Sequence, residues 1–295
     1  MTAGRQPSRL AEAVVSVAQD AGAAILEVYD GPIDVQTKDD SSPLTLADLR
    51  AHQTIVGGLE ALGPAWAPQL PIRSEESSSG DVAALGAADY WLVDPLDGTR
   101  EFVRRNGEFT VNIARVVGGR AVLGVVLAPV TGAVWVGEVN HGAWHRPDPA
   151  QGWQPLEAEP PPAPLAGQGG LDPLRVVVSR SHASDALQRL LGDWPTASRV
   201  PCGSSLKLCR LATRDADVYP RLGPTSHWDI AAAHAVLKAA GGAVVDAEGV
   251  PLRYVPGEEV LNPARSAARG SCPRSRPLRR SAVVPARLRA RPDAG

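Results

Sequence analysis

A chain of 295 residues with 44% hydrophobic and 21% charged residues can bury the core of one large domain or two modest ones, which excludes global disorder. It has no run of about 18 apolar residues and no charged-then-apolar leader, so the expectation is a cytoplasmic protein without a membrane span. Charge is uneven: residues 264–295 carry nine arginines and one acid, and against a net −2 the body before them carries −10, which argues against a nucleic-acid-binding surface there.

In chain order, residues 8–30 place Leu10, Val14, Val17, Ala21, Ile25 and Val28 at helical spacing and predict an amphipathic helix. Residues 48–62 predict a second helix burying Ile55, Leu59 and Leu62. Residues 90–93 predict a buried strand that Pro95 and Gly98 stop. Residues 109–117, 121–128 and 133–139 alternate or run apolar between glycine turns and predict an antiparallel meander.

Residues 151–173 are rich in proline, glycine and alanine, and are expected to link an N-terminal α+β part (1–150) to a C-terminal α/β part (174–263). In that second part, strands are expected at 174–178, 217–220 and 243–246. Helices are expected at 183–191, 204–212 and 230–240, the last stopped by Gly241-Gly242. Residues 264–295 lack periodicity and are expected to form a disordered basic tail. Such a composition is what a shifted GC-rich reading frame produces, and that would also delete a final strand. Cys202, Cys209 and Cys272 are few, odd in number and irregularly spaced, which suits a reducing compartment, and Cys202 and Cys209 read as small packing residues.

The segment Trp91-Leu92-Val93-Asp94-Pro95-Leu96-Asp97-Gly98-Thr99 carries the most chemistry. Two carboxylates at a strand's end offer the hard oxygens that magnesium prefers. Gly98 lets backbone approach an anion, and a following helix turns its free N–H groups toward a phosphate. The alternative is an Asx-rich turn without a ligand. Asp48, Glu75, Glu76 and Asp229 are further acids, though alone Asp229 reads as a helix N-cap and the glutamate pair as a solvated loop. Neighbours on an extended segment point opposite ways, so only one of Glu75 and Glu76 can face a metal.

The order Ser42-Pro43-x-Thr45-x-Ala47-Asp48, Ser74-Glu75-Glu76, Asp94 to Thr99, then Trp228-Asp229-x-Ala231-Ala232 resembles the inositol monophosphatase superfamily across residues 9–263. Four more segments are similar to its 3'(2'),5'-bisphosphate nucleotidase branch of the CysQ type: residues 105–114, Ser179-Arg180-Ser181-His182, Gly203-Ser204-Ser205-Leu206-Lys207 and residues 219–225.

The resemblance implies an α/β protein, the layered αβαβα sandwich of the inositol monophosphatase/fructose-1,6-bisphosphatase type. It also implies a lithium-sensitive phosphatase using two or three Mg2+ ions. Glu75, Asp94 and the Leu96 carbonyl would bind the first ion, and Asp94, Asp97 and Asp229 the second, with a third beside Glu75. Thr99 with Asp48 would orient or deprotonate the attacking water, and the Gly98 and Thr99 N–H groups would grip the phosphate. Glu75, Asp97, Gly98, Thr99, Ser179, His182, Gly203, Lys207, Arg221 and Asp229 would bind substrate. Lys207 would meet the phosphate that is not hydrolysed, out of reach of a small monophosphate. Without the resemblance, Lys207 reads as a solvated lysine and His182 as structural.

The implied reaction converts 3'-phosphoadenosine 5'-phosphate to AMP and phosphate in sulfur metabolism, with the 5'-phosphosulfate analogue as a second substrate. The expected partner is a small nucleotide and no nucleic acid. The expected state is a monomer or homodimer, with at most peripheral contact with the inner membrane face. One alternative is an inositol- or sugar-phosphate phosphatase sharing the metal ligands. Another is a non-catalytic protein binding through its basic tail.

Overall fold

Ser8 begins the first ordered element by accepting the Ala11 N–H on its hydroxyl at 3.2 Å, capping helix α1 (Arg9–Tyr29). The computed structural model describes residues 6–31, 35–37, 43–63, 69–77, 89–156, 174–180, 185–192, 196–223, 225–246, 248–255, 261–262 and 265–268. Helix α1 buries Val14, Val15, Ile25 and four alanines or glycines among others on one face, as its helical spacing predicts. After the short strands β1 (Val35–Thr37) and β2 (Pro43–Thr45), helix α2 (Leu46–Ala61) starts at a capping box formed by Thr45 and Asp48.

The next strands form one large sheet: β3 (Ile72–Ser74), β4 (Asp89–Asp97), β5 (Thr110–Val117), β6 (Arg120–Ala128), β7 (Ala133–Glu138), β8 (Gly142–Arg146) and β9 (Gln154–Pro155). They neighbour one another in sequence order, with β3 parallel to β4 and the rest antiparallel. A short helix α3 (Thr99–Val103) leaves β4 at the site. The second sheet contains β10 (Leu174–Ser179), β11 (Thr196–Cys202), β12 (Val218–Arg221), β14 (Ala243–Asp246) and β16 (Arg265–Ala268), in the order β11-β10-β12-β16-β14. Strands β13 (Thr225–Ser226) and β15 (Leu261–Asn262) pair separately. Helices α4 (Asp185–Gly192), α5 (Leu206–Ala212) and α6 (Trp228–Ala239) complete the described elements.

The layers follow from the two faces of the large sheet. Trp91, Val93, Ile113, Val125 and Val134 pack with α1 and α2, while Tyr90, Leu92, Ala114, Val126 and Trp135 pack with α5 and α6. Helix α4 sets Leu187 and Leu191 on Val176 and Val218 of the second sheet. The result is the αβαβα sandwich, with α6 between the sheets. Helix α6 sits unusually close to the first sheet. A Cβ on Gly124 would meet the Ala232 carbonyl oxygen at 2.1 Å, and one on Gly137 the Val236 Cα at 2.3 Å. Glycine at these two strand positions is what admits a helix backbone.

Several expectations change. Strand β4 does not stop at Val93 but continues to Asp97, with Pro95 in an irregularity where its missing N–H breaks no ladder. The expected link at 151–173 begins inside the first sheet, because β9 pairs with β8; residues 157–173 lie outside the described residues. Strand β11 has no apolar alternation and contains Pro201, which an edge strand tolerates.

The expected disordered tail supplies β16, which pairs antiparallel with β12 and β14 inside the second sheet. Backbone N–H and C=O groups form that ladder, so Arg-Ser-Ala-Ala needs no hydrophobic period to occupy it. A final strand is thus present, and residues 269–295 lie outside the described residues. Among the described residues no helix is long and apolar enough to cross a membrane.

Candidate active site

The irregularity in β4 builds the site. Asp94 pairs with Asn112 and Asp97 with Thr110, so three steps on β4 match two on β5. In a regular strand, residues three apart face opposite sides. The extra residue of the bulge restores the alternation, and both carboxylates face the layer occupied by α6. The Asp94 carboxylate also accepts the Leu96 N–H at 3.1 Å, so an Asx turn is present alongside the acid pair.

Asp48 stands in the first turn of α2. Its Oδ2 accepts the Thr45 N–H at 2.8 Å and the Thr45 hydroxyl at 2.6 Å. Its Oδ1 is 3.4 Å from the Thr99 hydroxyl, which lies equally far from the Leu96 carbonyl. A helix cap therefore fixes the carboxylate that Thr99 meets. Asp229 is not the N-cap of α6, a position held by His227. Its carboxylate reaches back to the Ser226 N–H at 2.9 Å, and its carbonyl accepts the Ser205 hydroxyl.

Glu75 and Glu76 separate. Glu75 donates its N–H to the Val93 carbonyl at 3.0 Å and adds to the negative field on Asp94. Glu76 acts on His52 of α2 and lines another cavity with it.

The buried Asp94 is held well above the usual carboxylate range. Burial is the main cause, followed by the charges of Glu75, Asp97, Asp229 and Asp48. Burial also raises Asp97, opposed by the Lys207 ammonium and by hydrogen bonds from Ser205. Among the described residues no three such side chains already close on one ion-sized point. The donor set nevertheless fits magnesium: hard oxygens only, in mutual repulsion, at a buried place where a divalent cation would offset their charge.

Beside the acids lies a cleft of about 260 Å³. Asp97, Gly98 and Thr99 line it from the first sheet, and Ser179, Gly203, Lys207, Arg221 and Asp229 from the other side. Gly98 has φ 96°, in the left-handed region that favours glycine. His182 lies outside the described residues. Lys207 stands closer to the acids than expected: its ammonium is the chief charge opposing the burial of Asp97, and it lies 5.9 Å from the Tyr219 ring centroid.

Three residues inside the motifs, Ser205, Glu108 and Arg180, make contacts that the sequence does not show. Ser205 accepts the Asn112 side-chain N–H at 3.0 Å and so ties β5 to the start of α6. Glu108 and Arg180 form an ion pair across the two halves. A motif shows such residues to be present, but their partners are 24 to 93 positions away and invisible to local patterns.

The profile of the Inositol monophosphatase family matches residues 6–277. The 3'(2'),5'-bisphosphate nucleotidase CysQ of Shigella flexneri is 45% identical over 253 residues, spanning 85% of this chain and 96% of that protein. The protein of the same name from Escherichia coli strain K12 is 44% identical over 252 residues, with the same coverage. The crystal structure of CysQ from Bacteroides thetaiotaomicron, at 35% identity, has a TM-score of 0.71 and covers 88% of this chain and 96% of its own. Metal-dependent phosphatases are typical of this group, in keeping with the acid cluster. Matched over most of its length in sequence and in fold, the chain belongs to the inositol monophosphatase family, among its CysQ-type members.

Proposed function

We propose that this chain is a Mg2+-dependent 3'(2'),5'-bisphosphate nucleotidase. It removes the 3'-phosphate of 3'-phosphoadenosine 5'-phosphate to give AMP and inorganic phosphate, in the cytoplasm and within sulfur metabolism. The 5'-phosphosulfate analogue is its second substrate. One observation carries the reading: a single cleft is lined by Asp97, Gly98 and Thr99 from the first sheet and by the cations Lys207 and Arg221, with Asp229, from the other side. Hydrolysing one phosphate requires the carboxylates, Gly98 and Thr99, and neither of these two cations. Cations opposite suit a substrate with a second anion. That favours the nucleotide over an inositol or sugar phosphate, and catalysis over binding through the tail.

Glu75, Asp94, the Leu96 carbonyl, Asp97 and Asp229 would hold two ions, with a third beside Glu75. Bound magnesium supplies charge neutralisation at the phosphoryl oxygens and a more acidic water. The Thr99 hydroxyl donates to Asp48 and keeps a lone pair for the attacking water's O–H. A proton accepted at Thr99 passes to the Asp48 Oδ1, while Thr45 keeps that carboxylate in place. The N–H groups of Gly98 and Thr99 hold the scissile phosphate. Lys207 and Arg221, with Ser179, Gly203 and His182, hold the rest of the nucleotide.

The deciding assay is phosphate release with magnesium from the nucleotide and from inositol 1-phosphate. The expected result is the larger kcat/KM on the nucleotide; parity or the reverse order would favour the sugar-phosphate alternative. Lys207→Ala should lower kcat/KM on the nucleotide by about tenfold to a hundredfold, because a charge-assisted contact of roughly 1.5–3 kcal/mol is lost. A smaller loss is expected on a small monoester, because Lys207 also offsets the burial of Asp97. Steady-state rates should fall in millimolar lithium, and rates that stay level there would count against this reading.

A further inference from the structure

We propose that Glu108 and Arg180 are positioning residues that lock the nucleotide-recognition wall of the cleft to the phosphate-binding wall, and so set specificity for the nucleotide. This rests on the nucleotidase reading above. The Arg180 Nε donates to the Glu108 Oε2 at 2.6 Å and the Nη2 to the Oε1 at 2.7 Å, a two-bond fork. The same Glu108 Oε2 accepts the Gly203 N–H at 2.9 Å. Arg180 also donates from Nη2 to the Pro201 carbonyl and from its backbone N–H to the Cys202 carbonyl, both at 3.2 Å. One carboxylate thus joins the loop before β5, the end of β10 and the entry to α5.

The backbone of Glu108 adds a second constraint. Its carbonyl oxygen lies 3.2 Å from where a Cβ on Gly98 would stand and 2.8 Å from one on Gly203. The phosphate-side glycine and the nucleotide-side glycine therefore rest against the same peptide. Local geometry aims Glu108 there: the Asn106 side chain accepts the Glu108 N–H at 3.0 Å, and Gly107 takes φ 75°. Burial pushes the Glu108 carboxyl up, but the Arg180 hydrogen bonds and charge, with the Gly203 N–H, hold it below its ordinary range. The pair is partly exposed, with side chains 25% and 41% accessible, so its contribution lies in geometry more than in stability.

The spacing also accounts for three motifs occurring together. Asn106-Gly107-Glu108 supplies the carboxylate, and Ser179-Arg180 the guanidinium beside a substrate residue. Gly203 supplies the N–H, just before Leu206 and Lys207 open α5. Loosening the lock acts directly on Ser179, Gly203 and Lys207, and reaches the acids only through Lys207 and Ser205 beside Asp97. A shift of that kind need only be about 1 Å to matter.

The test uses the full chain with magnesium, on the nucleoside 3',5'-bisphosphate and on p-nitrophenyl phosphate, with a melting curve for each variant. Glu108→Ala should raise KM for the bisphosphate about tenfold, keep kcat within about threefold, and lower kcat/KM on p-nitrophenyl phosphate by no more than about threefold. Glu108→Gln can still accept the Gly203 N–H but loses the charged fork, and should fall between. The double exchange Glu108→Arg with Arg180→Glu should recover part of the KM loss. Equal losses on both substrates, or no loss on either, in a protein whose wild type prefers the bisphosphate, would overturn the lock alone. A wild type showing no such preference would overturn the nucleotidase reading, and the lock with it.

Discussion

Asp94→Asn should abolish nearly all turnover while the protein stays folded. Asp94 is the most deeply placed acid of the cluster, 1% exposed, and the charges of Glu75, Asp97, Asp229 and Asp48 all bear on it. In the proposed site it would be a ligand to both ions, so an amide there would weaken two ligand sets at once. The fold loses little, because the asparagine oxygen can still accept the Leu96 N–H that Asp94 accepts at 3.1 Å. It also removes a buried, repelled charge, so the melting temperature in EDTA should be equal to or above wild type. The check is kcat at saturating magnesium together with that melting curve. A variant keeping more than about a tenth of the wild-type rate would contradict the assignment, and one that fails to fold would show that the carboxylate holds the strand instead.

Gly137→Ala should cost stability and activity together. A Cβ there would stand 2.3 Å from the Val236 Cα and 2.6 Å from its nitrogen, so the helix backbone itself must move. Overpacking of this kind costs about 1–3 kcal/mol, and here no flexible side chain can yield. Helix α6 carries Asp229 in its first turn, so a helix pushed from the sheet carries a proposed ligand with it. Gly57→Ala is the contrast. Gly57 lies inside α2 with open space around its missing Cβ, and alanine there should stabilise by roughly 0.5–1 kcal/mol. Denaturant midpoints and kcat for both variants decide the matter. A Gly137→Ala protein as stable and active as wild type would mean that α6 does not approach the sheet as closely as described.

The sequence by itself determined what depends on neighbours along the chain. The apolar period of α1, the apolar or alternating runs of β5 to β7 and the spacing of Ile55 and Leu59 in α2 are local signals, and each gave the right element. The ordered acid motifs pointed to the family, because their side-chain chemistry is printed in the chain whatever its fold.

The tertiary structure decided which of those groups meet. A bulge that pairs two β5 steps with three on β4 puts Asp97 on the same face as Asp94, and no local pattern counts the residues on a partner strand. Glu75 and Glu76 stand in a turn after β3, and only the packing around that turn sets Glu75 beside Asp94 and Glu76 beside His52. Strand β16 emerges from a tail without hydrophobic period, since a strand between two partners is held by backbone hydrogen bonds that any residues carry. Glu108 and Arg180 stand 72 positions apart, and only the packing of the two halves brings the carboxylate to the guanidinium.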